Sequence, residues 1–306
     1  MISQSRSQFL DLASLAALEQ KRFTTRRRIE GSYSGRHLSR VQGGAGEFVD
    51  YREYTGGEDL RRLDWKVFAR TGKAFVRLFQ DETNLLCTIA IDASGSMRFG
   101  EDAALASSTA AKSKLEYAQW TATALSHIIS RGQDQVGLAV LGSELKDWLA
   151  PGGTATHVAR IQEIVEQLKT QPTTQMAGSL RELFERSPRR GVLLILSDLL
   201  MDDLQETFAA LRLFRHRGWE VVILHLVHPD EERLPPGVAF RLRGLEGEGD
   251  VDCSPAEIAT QYEARFAAFL TMARQLALGA GCDYRMVSTA IPYLHTLGEF
   301  LIERAG

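Results

Sequence analysis

The sequence lacks the features that mark several large classes of protein. Its three cysteines, Cys87, Cys253 and Cys282, are far apart and form no C-x-x-C pair, which argues against a disulfide framework or a zinc site. No stretch approaches the roughly 20 apolar residues that span a bilayer. The N-terminal apolar stretch is interrupted by Asp11 and Glu19, so it does not make a signal peptide. These absences predict a soluble, cytoplasmic protein.

Length and composition leave room for a large globular fold. The chain has 306 residues, of which 44% are hydrophobic, and this is ample for one large domain or two smaller ones. A net charge of -3 and a pI near 6.2 give no reason to expect binding to nucleic acid. No unit repeats at a fixed spacing, so a solenoid or propeller is excluded.

From residue 84 onward, apolar segments alternate with amphipathic helical segments. This alternation is typical of a mostly parallel sheet with helices on both faces, so the predicted fold class is α/β with a doubly wound sheet. The predicted strands are 85–91, 135–141, 191–196, 220–227 and 283–288, with an antiparallel edge at 145–149. The predicted helices are 113–131, 155–169, 176–186, 203–217 and 256–279.

The N-terminal quarter has a different character. Residues 8–21 have helical periodicity and predict a helix, and residues 31–82 suggest irregular β structure with a short helix at 59–70. Between them, residues 21–28 include five basic side chains. Such a run could bind phosphates or an anionic membrane, but a solvated surface is favoured. We therefore predict an N-terminal β-rich extension over residues 1–82 and an α/β domain over 83–306.

The most informative motif follows the first predicted strand. An apolar run ends abruptly in Asp92, Ser94 and Ser96 at alternate positions, with Gly95 allowing a tight turn. One carboxylate and two hydroxyls offer hard oxygen ligands to a hard cation. Ligands of open α/β sheets bind beyond the carboxyl ends of the strands, which is where this motif lies.

Two further segments extend the motif. The strand at 191–196 is followed by Asp198, and the polar loop that contains Thr173 and Thr174 opens a helix between the two strands. The set resembles the metal-ion-dependent adhesion site of von Willebrand factor A domains. The resemblance implies that two serines and a threonine bind Mg²⁺, directly or through water, and that the aspartates hold ligating waters. The implied residues are Asp92, Ser94, Ser96, Thr174 and Asp198. If the loop is shifted by one residue, Thr173 replaces Thr174 as the ligand. Mn²⁺ and Ca²⁺ are alternatives to Mg²⁺ as the bound ion.

A second motif precedes the metal loop. It contains an R-E-Y triplet, a G-E-D triplet and an R-x-x-D-W pattern followed by A-R, and its residues are Arg52, Glu53, Asp59, Arg61, Asp64, Trp65 and Arg70. This succession resembles the bacterial domain-of-unknown-function family fifty-eight, whose members carry a von Willebrand factor A-like domain. The resemblance implies a partner, an AAA+ ATPase of the MoxR group, and a client protein that the ATPase remodels or assembles.

The signature has a structural interpretation as well as a functional one. Its arginines and acids can hold irregular backbone in place, and this is favoured over direct contact with a partner. Aromatic side chains such as Trp65 and Phe68 are expected to be buried there. In the same way, Asp92, Ser94 and Ser96 could be ordinary turn residues. That explanation leaves the second strand-ending acid without a role.

The function predicted from the sequence is metal-dependent protein binding, as an adaptor for the ATPase, with no catalytic residues. The alternative is a phosphoester hydrolase of haloacid-dehalogenase type, because Asp92, Ser96 and a later strand-ending Asp198 recur in that order there. The general acid of such an enzyme would stand two residues after Asp92, where Ser94 cannot act as an acid near neutral pH. The lysine expected near Asp198 is also absent from the residues that follow it. A third possibility is a structural scaffold with a vestigial site.

Overall fold

The structure is a computed structural model that describes residues 7–18, 21–25, 37–41, 47–56, 63–83, 85–101, 113–172, 174–188, 190–234, 240–247 and 249–305. The chain divides into two compact units. One comprises Met1–Thr24 with Leu86–Gly306, and the other comprises Thr25–Leu85. The domain boundary predicted between residues 82 and 83 stays a prediction.

The continuous helix predicted over residues 8–21 is wrong. The structure has one helical turn, α1 (Leu12–Leu15), followed by a 3-10 turn at Ala16–Leu18. Asp11 has extended backbone and its carboxylate accepts hydrogen bonds from the N–H groups of Ala13 and Ser14, so the helix begins only after it. The segment is anchored by side-chain packing instead, since the Phe9 ring meets the Trp120 ring edge-on at 5.3 Å.

The smaller unit confirms the predicted β character of the N-terminal part. β1 (His37–Val41), β2 (Glu47–Glu53) and β3 (Phe75–Thr83) form an antiparallel sheet in the order β1-β3-β2. The short helix α2 (Trp65–Thr71) begins later than the predicted 59–70, because Leu63 pairs with Val76 as extended backbone and Asp64 caps the helix.

Two aromatic residues of this helix differ from expectation. The side chains of Trp65 and Phe68 are 58% and 41% exposed, so the predicted burial of these two rings is wrong. Their rings meet edge-on at 6.1 Å, and this mutual contact removes part of their apolar surface from water.

The larger unit is built on one mixed sheet of six strands. In the order β11-β8-β7-β4-β5-β6, all neighbours are parallel except β5 and β6. The strands are β4 (Leu86–Asp92), β5 (Gln135–Leu141), β6 (Leu145–Gly152), β7 (Val192–Ser197), β8 (Glu220–Val227) and β11 (Asp283–Ser288). The predicted α/β fold class is confirmed, and the five predicted parallel strands agree with the structure to within one residue at each end.

Helices cover both faces of this sheet. They are α3 (Lys114–Arg131), α4 (Ala155–Gln167), α5 (Met176–Arg186), α6 (Leu204–His216), α7 (Pro229–Glu232), α8 (Pro255–Gly279) and α9 (Tyr293–Ala305). Side chains of α5, α6 and α8 form one apolar cluster with alternate residues of the sheet, while α3 contacts α4 and α9. A two-stranded hairpin of β9 (Phe240–Arg243) and β10 (Asp250–Cys253) lies outside the main sheet. Neither this hairpin nor α9 was predicted.

The chain order of the central strands fixes where a ligand can bind. From β4 the chain first adds β5 on one side and later adds β7 on the other, so the connections leave β4 in opposite directions. A crevice forms beyond the carboxyl ends of strands at such a switch point. The loops after β4 and β7 therefore meet at one edge of the sheet.

Candidate metal centre

Strand register places the two strand-ending acids side by side. Ile91 of β4 is level with Leu196 of β7, so Asp92 comes level with Ser197 and close to Asp198. The side chain of Asp92 is fully buried and that of Asp198 is 1% exposed. The Ser197 hydroxyl donates a hydrogen bond of 2.5 Å to Asp92 Oδ2, and the Ser94 N–H donates one of 2.8 Å to Asp92 Oδ1.

The serine pair lies in the turn after β4. Ser94 directly precedes a short 3-10 helix, Gly95–Arg98, and its hydroxyl oxygen lies 3.0 Å from that of Ser96. Ser94 is buried and Ser96 is half-buried. The structure therefore brings the first three predicted residues together, with the two hydroxyls beside each other at the edge of the sheet.

The threonine loop is fixed to the serine loop through its backbone. The N–H of Gln171 donates to the carbonyl of Ala93 at 2.6 Å, and Gln171 pairs with Ser94 as a parallel bridge. Four residues later, the N–H of Gln175 donates to the carbonyl of Gly142 at 3.0 Å. Thr174 is held between these two attachments and lines the same cleft as Ser96.

The hydroxyl of Thr174 is an unusual feature of this loop. Its oxygen is buried and has no hydrogen-bond partner among the described residues. Such an orphaned group costs free energy in the absence of a ligand, because water is removed without replacement. Thr173, the alternative residue, lies outside the described residues.

Asp198 is part of a buried ion cluster that sequence analysis did not detect. Lys114 at the start of α3 is fully buried, and its ammonium donates to Asp198 Oδ2 at 2.6 Å and to the Glu231 carboxylate. Burial disfavours the ammonium, but the charges of Asp198 and Glu231 outweigh it and raise the pKa of Lys114. Lys114 is therefore a fixed positive charge at this edge.

The backbone after Asp198 is strained. Leu199 has a φ of 56°, a left-handed conformation that is costly for a residue with a branched side chain. It is held there because its N–H donates to the Ser197 hydroxyl at 2.9 Å, while the N–H of Leu200 donates to Asp198 Oδ1 at 3.1 Å. Asp198 is thus held in orientation by its own loop.

Charge is unbalanced at this edge. Among the described residues, three buried carboxylates (Asp92, Asp198 and Glu231) face one buried ammonium, Lys114. Burial and the charge of Asp198 raise the pKa of Asp92 to about 7, although hydrogen bonds from Ser197 and Ser94 act in the opposite direction. Burial also raises the pKa of Glu231. A divalent cation bound here would favour the ionised form of these carboxylates.

The donor set fits a hard cation that retains several water ligands. In the described part of the chain, no group of three or more His, Cys, Asp or Glu side chains could hold a metal ion, so a cation here would depend on hydroxyl ligands. The hydroxyls of Ser94, Ser96 and Thr174 would supply these, and the oxygens of Asp92 and Asp198 are already bonded to neighbouring groups, which suits contact through water. Mg²⁺ is commonly bound by few protein oxygens plus water.

The signature residues belong to the other unit. Asp64 is buried and accepts hydrogen bonds from the N–H groups of Lys66 and Val67 and from the Tyr51 hydroxyl at 3.1 Å, so it has a structural role within that unit. Glu53 and Arg70 are exposed. Asp59, Arg61 and the side chain of Arg52 lie outside the described residues, as do residues 26–28 of the basic run. Whether this segment contacts a partner stays a prediction.

Sequence comparison identifies a family without an assigned activity. Residues 50–271 match the family described as "Protein of unknown function DUF58". The uncharacterized protein Rv1480 of Mycobacterium tuberculosis is 26% identical over 228 residues, which cover 72% of this chain and 67% of that protein. The uncharacterized protein Mb1516 of Mycobacterium bovis matches to the same extent.

Solved structures with a similar arrangement share little sequence with this chain. An aerotolerance-related membrane protein from Bacteroides fragilis is 16% identical, with a TM-score of 0.44 over 71% of this chain and 96% of that one. BatB from Bacteroides thetaiotaomicron is 16% identical, with a TM-score of 0.39 over 72% of this chain and 98% of BatB. The SpRpn10 VWA domain is 12% identical, with a TM-score of 0.39 over 70% of this chain and 93% of that domain.

The predicted cytoplasmic location is contradicted by these neighbours. The Bacteroides fragilis protein is described as a membrane protein, and a further neighbour, from Vibrio fischeri, is described as an uncharacterized membrane spanning protein. The Vibrio fischeri protein is 14% identical, with a TM-score of 0.25 over 71% of this chain and 98% of that one. Among the described helices, none combines the length and the apolar character that a membrane span requires. The prediction was wrong to infer a compartment from the lack of such a segment.

Proposed function

This chain belongs to the DUF58 family, and we propose that it binds a protein partner through a divalent cation held at the edge of its sheet. The von Willebrand factor A-like neighbours suggest a protein-interaction module. The buried hydroxyl of Thr174 carries the proposal further, because it has no partner among the described residues and lies in one cleft with Ser96. A hydroxyl that lacks a partner and lies in a cleft is a candidate ligand for a bound ion.

Each residue of the centre has a distinct task in this proposal. The hydroxyls of Ser94, Ser96 and Thr174 would hold the cation, and Asp92 and Asp198 would orient its water ligands. When bound, the cation would supply an electrophilic centre that attracts a carboxylate of the partner. Lys114, which also bonds to Glu231, keeps Asp198 in place together with the N–H of Leu200.

Space for a partner side chain exists beside the hydroxyls. The cleft that contains Ser96 and Thr174 has a volume of about 900 Å³ and is open to solvent along the loops after β4 and β7. Arg181 is among the residues that line it, and its guanidinium can pair with a carboxylate. Asp202, Asp203, Glu206 and Glu246 also line the cleft, so an acidic side chain of the partner would depend on the charge of the bound cation.

The partner and the client are proposed from the resemblance of the signature to the DUF58 family. We propose that the partner is the MoxR-type AAA+ ATPase of the same bacterium, and that this chain is its adaptor for a client. The test is a pull-down of the purified ATPase with wild type and with Ser94→Ala/Ser96→Ala, in Mg²⁺ and in EDTA. The ATPase is expected to be retained by wild type in Mg²⁺ and reduced about tenfold or more in the other three samples.

A matched control separates the centre from the rest of the sheet edge. Ser143, two residues after β5, is exposed and its hydroxyl bonds to the Gln171 side chain outside the serine pair, so Ser143→Ala should retain the ATPase as wild type does. Equal retention by all variants in both buffers would refute the metal-dependent contact.

The structure supplies one residue that the hydrolase alternative requires, a lysine beside Asp198, but not its general acid. The structure does place a lysine, Lys114, at Asp198, which the sequence order did not reveal. However, Lys114 is shared with Glu231, and the position of the general acid is held by Ser94. No observation favours the hydrolase over the binding module.

A further inference from the structure

The short helix α2 of the smaller unit carries aromatic side chains that the fold leaves in contact with water. None of the residues of α2 is buried, and Trp65 and Phe68 are 58% and 41% exposed. Because these two positions are three residues apart, their rings lie on one face of the helix, where they meet edge-on. Large apolar side chains that are grouped on a surface mark a site of contact with another molecule or with a membrane.

The ends of this helix are fixed to the rest of the smaller unit. Asp64 is buried and accepts hydrogen bonds from the first turn, and Leu63, also buried, pairs with Val76 of β3. At the other end, Gly72 has a φ of 71° and its N–H donates to the carbonyl of Phe68 at 2.8 Å. The outward position of the two rings is therefore a property of the fold and not of a frayed end.

Basic side chains accompany the rings. Lys66, Arg70 and Lys73 are exposed, and their charged groups have no hydrogen-bond or ion-pair partner among the described residues. Residues 65–73 contain no aspartate or glutamate, so their two lysines and one arginine give this segment a net charge of +3, whereas the whole chain carries -3. The segment is thus a local concentration of unpaired positive charge beside exposed apolar rings.

This combination of side chains distinguishes a lipid surface from a protein partner. Tryptophan and phenylalanine next to lysine and arginine are typical of helices that lie in the interface of an anionic membrane. Protein interfaces are instead depleted of lysine, and two of the three cations here are lysines. The charge of the segment is also opposite to that of anionic phospholipid headgroups.

We propose that α2 and the residue that follows Gly72 form a site for anionic phospholipids, which we call the α2 patch (Trp65, Lys66, Phe68, Arg70 and Lys73). The two rings insert between the headgroups, and the three cations contact the lipid phosphates. This inference is independent of the proposed cation site, because the α2 patch belongs to the other unit of the chain.

The test is sedimentation of the full chain with vesicles of phosphatidylcholine, prepared with and without an equal share of phosphatidylglycerol. Wild type is expected to sediment with the anionic vesicles and not with the neutral ones. Lys66→Gln/Arg70→Gln/Lys73→Gln should reduce partitioning about tenfold or more, since each basic residue near an anionic surface contributes about fivefold. Trp65→Ser/Phe68→Ser should also reduce it about tenfold or more, because the apolar area that enters the interface is lost.

A matched control addresses exposed apolar surface elsewhere on the chain. Leu278 on α8 and Ile302 on α9 are 56% and 58% exposed, and Leu278→Ser/Ile302→Ser is expected to partition as wild type does. Circular dichroism establishes that each variant is folded. Equal losses in this control and in the ring variant would overturn the assignment to the α2 patch.

Tryptophan fluorescence locates the contact. Of the four tryptophans, Trp65 is exposed, Trp120 and Trp148 are half-buried, and Trp219 is buried. Anionic vesicles should therefore shift the emission of wild type to shorter wavelength by removing Trp65 from water. Trp65→Phe keeps an aromatic ring, so it is expected to sediment with the vesicles and to show no shift.

Three results would overturn the proposal. The first is a wild type that does not sediment with anionic vesicles, and the second is sedimentation of the charge and ring variants to the same extent as wild type. The third is a shift in emission that follows protein concentration without vesicles and is absent from Trp65→Phe, because it would assign the α2 patch to contact between two copies of this chain.

Discussion

Replacing Lys114 by methionine is expected to lower the free energy of unfolding by about 3–5 kcal/mol. The substitution keeps most of the side-chain volume and removes the ammonium that joins Asp198 to Glu231. Both carboxylates are buried, so each would be left without its cation in a medium that solvates charge poorly. The loss comes from these stranded charges, since the ion cluster itself is worth little relative to an apolar replacement.

Urea unfolding of the full chain in EDTA measures this effect. Lys146 has an exposed side chain on β6, and Lys146→Met should change the free energy of unfolding by less than about 0.5 kcal/mol. A loss below about 1 kcal/mol for Lys114→Met would contradict the account, because it would mean that Asp198 and Glu231 reach water or another cation.

Replacing Asp92 by asparagine is expected to stabilise the metal-free protein at neutral pH and to abolish its response to Mg²⁺. The buried carboxylate of Asp92 is repelled by Asp198, so removing its charge should add on the order of 1–3 kcal/mol to the free energy of unfolding. The amide keeps an oxygen that accepts from Ser94 and loses the acceptor of the Ser197 hydroxyl, which offsets about 1 kcal/mol of the gain. A gain of stability with a loss of ligand response is the behaviour of a binding residue rather than a structural one.

The pH dependence follows from the raised pKa of Asp92. In the folded state this pKa is about 7, against 3.8 for the usual aspartate, so the folded state binds more protons between these two values. Wild type therefore loses stability relative to Asp92→Asn as pH rises from about 4 to about 7, and the difference vanishes below that window. Asp202→Asn, an exposed acid at the same edge, should show no such trend. Thermal unfolding in EDTA across this range, and again with Mg²⁺, distinguishes the two outcomes.

Most of the α/β framework could be predicted because its signals are local. The buried strands β4, β5, β7 and β8 are apolar runs of strand length bounded by polar residues, and the covering helices repeat apolar residues at helical spacing. The β9–β10 hairpin was missed since its strands have four residues each. The N-terminal helix was overestimated because its apolar periodicity is satisfied by packing of Phe9 on Trp120 rather than by a continuous helix.

Some residues of the candidate site could also be predicted from local sequence patterns, and others could not. Asp92, Ser94 and Ser96 lie within five consecutive residues, and Asp198 follows a strand, so local patterns could find them. Lys114 is 84 residues from Asp198 and 117 from Glu231, and Glu246 is 150 residues from Ser96. Only the strand order and the loop connections bring these charges together, and a single sequence contains no local signal for such pairs.

The measurement that tests the central claim most directly is a titration of wild type and Thr174→Val with Mg²⁺, alongside unfolding in EDTA. Because the Thr174 hydroxyl has no partner among the described residues, valine should leave metal-free stability unchanged or raise it by up to about 1 kcal/mol, while Mg²⁺ binding weakens about tenfold or more. Thr296→Val, which removes a hydroxyl bonded to Tyr117 at 2.9 Å, should lose about 1 kcal/mol and bind Mg²⁺ as wild type does. If Thr174→Val instead loses stability like Thr296→Val and binds Mg²⁺ like wild type, the cation is not held by this hydroxyl and the proposed centre is wrong.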